Sequence, residues 1–159
     1  MNDTEVAAPA SGRTGRTHPL RHIGVAGLVA TLAAMVATAV AAALARAVGV
    51  DFEVPEGGET IPVTGVAVVT GFFSLVGTVI AAALLRWSAR PAERFLWTAV
   101  SLTAASLVPP FLSGANAATT AALVGLHLVA ATVMIPALTR SLRVIAQRSE
   151  HLTGSIDAE

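Results

Sequence analysis

The fold class predicted by this chain is all-α, a four-helix transmembrane bundle, and three observations predict it. The 159 residues are 54% hydrophobic and only 13% charged, with a mean hydropathy of +0.71, too apolar for an ordinary soluble domain. Long uncharged stretches recur along the chain; Ile61 to Leu85 alone would span ~37 Å at helical rise, enough for a ~30 Å hydrocarbon core. The arginines cluster in alternate connections, which is the charge pattern of a multi-pass membrane protein.

Residues 1–22 are polar, carry Pro9, Gly12, Gly15 and Pro19, and show no apolar periodicity, so they are expected to be a disordered cytoplasmic tail held inside by Arg13, Arg16 and Arg21. The first span, 23–46, is rich in alanine and therefore only weakly hydrophobic. Its small residues four apart, Ala30/Ala34 and Ala37/Ala41/Ala45, favour close packing on neighbouring helices. Its apolar stretch exceeds that of a cleavable signal peptide. Arg46 closes it on the outer side, where it is expected to snorkel to the interface or pair with Glu53 or Glu59.

Between the first two spans, the alternation of Val50, Phe52 and Val54 followed by Pro55-Glu56-Gly57-Gly58 predicts a short outer β-hairpin. Asp51, Glu53, Glu56 and Glu59 make this loop acidic. A divalent cation clamping it is one reading, but the spacing is not that of an EF-hand and no His or Cys accompanies it, so a solvated loop is the expectation and no metal is assigned. The second span, 61–85, has Pro62 in its opening turn, and Thr70, Ser74 and Thr78 on one face suited to protein contact. Arg86, Arg90 and Arg94, with Trp87 and Trp97, mark an inner turn.

Pro91 begins the third span, 92–110, and Pro109 and Pro110 end or bend it. Ser113 or Asn116 caps the fourth span, 117–138, which Pro136 is expected to kink. Residues 139–159 read as an interfacial helical extension, with Leu142, Ile145 and Leu152 on one stripe, fraying into a polar tail. The arginine distribution places both termini in the cytoplasm and the protein in the plasma membrane.

Several chemistries are excluded. With no cysteine there is no disulfide, thiolate metal site or thiol relay. His127 is the one ionisable group in mid-span; by depth, Thr38, Thr70 and Ser101 or Thr103 would join it in a polar layer. No second intramembrane histidine completes a b-type haem, no carboxylate lies within a span to couple protons, and no nucleophile elbow accompanies Ser74 or Ser101. A register-fixing hydrogen bond is therefore the expected role of His127, ahead of a transport site.

Glu59 to Ala67 (ETIPVTGVA), Leu85-Arg86 with Arg90-Pro91-Ala92, Ser106 to Pro110 (SLVPP), Ala118-Thr119-Thr120, His127 and Ile135 to Leu138 (IPAL) together resemble an actinobacterial family of four-span integral membrane proteins of unknown function. The resemblance runs from Ile23 to Val144. It implies the fold and carries over no activity. The expected function is a non-enzymatic accessory or oligomerising component, without cofactor, whose partners are the lipid bilayer and a second copy or another membrane protein, and not nucleic acid. The alternative is a small transporter or channel subunit with His127 at its midplane site.

Overall fold

The computed structural model describes residues 17–53 and 60–156. It is helical, with α1 (Thr17–Ala47), α2 (Val63–Trp87), α3 (Pro91–Ser106), a short α4 (Val108–Leu112) and α5 (Ala117–Ile156). Four segments are long and apolar enough to cross a membrane: Pro19–Ala47, Val63–Trp87, Pro91–Leu112 and Ala117–Ser149. The four-helix expectation therefore holds, with the third span built from two pieces.

Local chemistry sets the boundaries. α1 starts six residues earlier than expected, since Pro19 falls in its first turn, where an absent N–H costs no helical bond. Gly49, at φ +92°, ends it in a Schellman turn in which the Val50 N–H donates to the Ala45 carbonyl at 3.0 Å. Pro62 is the N-cap of α2 and stands just outside the helix, at φ −70° and ψ 148°. Leu107 interrupts the third span, and Pro109 then occupies the opening turn of α4, so the prolines start a new helix after a break. Asn116 caps α5, its Oδ1 accepting from the Thr119 N–H at 2.8 Å. α5 continues through Pro136 to Ile156.

α1 packs against α2 and α5, and α3 against the same two helices; α2 and α5 also meet across the bundle, while α1 and α3 do not touch. Two contacts fix the antiparallel register of α1 and α2. A Cβ at Gly27 would lie 2.2 Å from Thr78 Cγ2, and the hydroxyls of Thr38 and Thr70 are 3.2 Å apart. Carried back toward the start of α1, this register brings Arg21 level with Arg86. Those residues, with Arg90, Arg94, Arg140 and Arg143, define an arginine-rich end of the bundle.

The core has two parts. Ile23, Ala34, Ala81, Phe95, Leu138, Leu142 and Ile145 fill the half toward the arginine-rich end. Phe52 joins Ala42 and Leu126 in a second cluster at the opposite end. Outside these, Val25, Leu28, Leu32, Val36, Val40, Val68, Phe72, Phe73 and Val79 are exposed on α1 and α2, a surface suited to lipid and not to water.

Of the expected hairpin, Val54 and the Pro55–Gly58 turn lie outside the described residues; among the described residues an antiparallel bridge joins Glu53 to Thr60, supported by the Ile61 N–H donating to the Phe52 carbonyl at 3.2 Å. Phe52 has a left-handed φ of +52°, which departs from an extended run, and its ring is turned inward, only 1% of the residue being exposed.

Candidate functional site

Of the residues expected to form a midplane layer, Thr38 and Thr70 meet. Thr38 is fully buried, and its hydroxyl lies 2.8 Å from the Ala34 carbonyl, 3.1 Å from that of Met35 and 3.2 Å from the Thr70 hydroxyl. A hydroxyl has one proton, so when Thr38 donates to Ala34, Thr70 must donate to Thr38. The pair links α1 to α2 with no polar atom left over. Ser74 and Thr78 continue this face toward the arginine-rich end, both buried, with the Thr78 hydroxyl donating back to the Ser74 carbonyl at 3.0 Å. Threonine and serine at four-residue spacing thus form the α1-facing seam of α2, as the sequence pattern implied.

His127 stands at a similar depth, since Leu126 shares a cluster with Ala42, one turn from Thr38. It is half-buried and does not join the threonines. Its Nδ1 lies 2.8 Å from the carbonyl of Leu123, one turn back on its own helix. A carbonyl can only accept, so Nδ1 carries the proton and, in the neutral ring, Nε2 is left as the acceptor. Among the described residues no other hydrogen bond reaches this imidazole. The Nδ1 proton is thus satisfied within the histidine's own helix, while Nε2 has no partner among the described residues.

Ser101 and Thr103 also stand apart. Ser101 is exposed on the outward face of α3, and Thr103 is partly buried, its carbonyl accepting from the Ser106 hydroxyl at 2.7 Å. The layer expected from depth alone is reduced to Thr38 and Thr70 because α3 turns its serine away from the bundle axis.

At the opposite end from the arginines, Arg46 folds over the loop. Its guanidinium donates to the Ile61 carbonyl and lies 5.8 Å from the centre of the Phe52 ring, a cation–π distance. Among the described residues it makes no ion pair, its contacts being a carbonyl and a ring and not Glu53; Glu59, the other expected partner, lies outside the described residues. Asp51 and Glu53 are exposed, and Glu56 and Glu59 lie outside the described residues. Among the described residues no cluster of three or more His, Asp or Glu side chains could hold a metal ion.

Sequence reasoning missed Phe52 as an anchor. Alternation with Val50 and Val54 suits a strand, and a bulky residue at positive φ leaves no mark in sequence. It also missed Gly27, whose missing side chain admits Thr78; a glycine facing a threonine across two helices becomes visible only once the register is known.

No match was found among curated proteins or among solved structures. A family match covers residues 18–144, with the Thr38–Thr70 contact, the Phe52 anchor and the α3–α4 break all lying inside it. With its four apolar helices accounted for over that whole range, the chain belongs to the family of unknown function DUF6069.

Proposed function

We propose that this protein is a non-enzymatic component of the plasma membrane that assembles with copies of itself, with its arginine-rich end and both termini in the cytoplasm. The observation that carries the proposal is the outward face of α3. The third span has a mean hydropathy of 1.5, against 2.1 to 2.3 for the other three. Only Pro91 and Phe95 of α3 are buried within the chain, while Ser101, Ala104 and Ala105 are exposed. The least apolar helix thus shows the most of itself, and the Ser101 hydroxyl has no partner among the described residues. Hydrocarbon gives such a group nothing to bond, whereas a second helix does, and serine and alanine allow close backbone approach.

All copies insert in the same direction, so α3 faces of two copies meet about an axis along the membrane normal, and one patch can serve both partners. Cytoplasmic placement of the termini is supported by the arginines at that end. Photobleaching of singly labelled protein in liposomes tests assembly: the expected record has more than one bleaching step per complex, and isolated monomers at every protein-to-lipid ratio would contradict it. A transport reading centred on His127 has less support, since the imidazole's one hydrogen bond among the described residues is to Leu123 of its own helix and Phe52 packs with Ala42 and Leu126 at the bundle end above it. Ion or solute flux above that of empty liposomes would favour it instead.

A further inference from the structure

We propose that the groove between α2 and α3 at the arginine-rich end binds the headgroup of an anionic phospholipid. Leu84 and Ala89 form one wall; Arg90, Glu93, Arg94, Trp97 and Thr98 form the other, around a cavity of about 480 Å³. The second wall is a helical stripe, because positions i, i+3, i+4, i+7 and i+8 share a face. Pro91 and Phe95, both buried, turn that stripe away from the core.

The groove holds two guanidinium groups, Arg90 and Arg94, and one carboxylate, Glu93, so cations outnumber anions and remain available. Arg90 pairs with Glu93 at 3.5 Å, but the two side chains are 78% and 58% exposed, so the pair is screened and readily exchanged for a phosphate. Arg94 makes no ion pair or side-chain hydrogen bond among the described residues.

Depth matches a lipid as well as charge does. From Arg90 to Trp97 is ~10 Å along the helix, which sets the guanidinium groups at headgroup level and the indole at the interface below, where Trp N–H and Thr98 hydroxyl meet ester oxygens. Leu84 then supplies an apolar side for the first part of an acyl chain. Basic clefts between membrane helices are a recognised setting for anionic headgroups. Arg140 and Arg143 share the arginine-rich end but do not line this groove. The binding requires neither self-association nor a particular orientation of the chain.

The test uses the full chain carrying Trp87→Phe, which leaves Trp97 as the only tryptophan. It is reconstituted at high dilution in phosphatidylcholine vesicles containing a minor, equal mole fraction of either brominated phosphatidylglycerol or brominated phosphatidylcholine. Severalfold stronger quenching of Trp97 by the brominated anionic lipid is expected. Adding Arg90→Gln with Arg94→Gln should bring it down to the phosphatidylcholine level, while Arg140→Gln with Arg143→Gln should leave it unchanged. Equal quenching by the two lipids would overturn the proposal. So would an equal loss from the Arg140/Arg143 pair, which would mean diffuse surface charge, or displacement by inorganic phosphate at constant ionic strength, which would mean a site for a free anion.

Discussion

Phe52 is the one residue other than glycine, among those described, whose backbone lies at positive φ. For a bulky side chain that conformation costs about 1–2 kcal/mol and persists only where the surroundings overdetermine it. Here they do: the ring is buried against Ala42 and Leu126 and covered by Arg46, whose own donor is held by the Ile61 carbonyl. Phe52→Ala should lower stability by about 3 kcal/mol in denaturant titrations of the detergent-solubilised protein, within the range for emptying an aromatic site. An unchanged midpoint would mean that the ring does not hold the loop. At Gly27 the consequence is steric. Gly27→Val would press into the rigid stem of Thr78 and should cost about 1–3 kcal/mol in the same assay. His127 should behave differently. It bonds only its own helix, so His127→Leu should change stability by no more than ~0.6 kcal/mol, whereas a larger loss would reveal an interhelical partner.

At the scale of elements, helix existence was legible in the sequence and helix rotation was not. Four spans follow from hydropathy, and depth follows from counting residues, so Thr38 and Thr70 could be paired before their contact was seen. Rotation about the axis needs an apolar–polar contrast, and alanine-rich helices surrounded by lipid offer little of it. This is why Ser101, expected to face the bundle, is instead exposed. Caps were partly legible: either Ser113 or Asn116 suited the start of α5, and Asn116 does the work, while Ser113 donates to the Pro110 carbonyl at 2.8 Å. Asn116→Ala should cost about 1 kcal/mol and speed amide exchange across the first turn of α5, measurable by hydrogen–deuterium exchange. Slow exchange there in the variant would show that another group serves as the cap.

The whole molecule is a ring of helices in which α1 and α3 stand apart on either side of the α2–α5 contact. This arrangement packs the small-residue α1 between two partners and leaves α3 on the outside, with its serine and alanines uncovered; at a mean hydropathy of 2.3 the first span is not the weakly hydrophobic segment its alanines suggested. A chain built to remain alone in lipid would place its least apolar span in the middle. Self-association through α3 resolves that mismatch, and the natural absence of cysteine makes it directly testable. The measurement is oxidative cross-linking of the single-cysteine variant Ser101→Cys in native-like membranes, compared with Val29→Cys on the lipid-facing side of α1. The account predicts a disulfide-linked dimer from Ser101→Cys at dilutions where Val29→Cys remains monomeric; equal cross-linking at both positions, or none at Ser101→Cys, would contradict it.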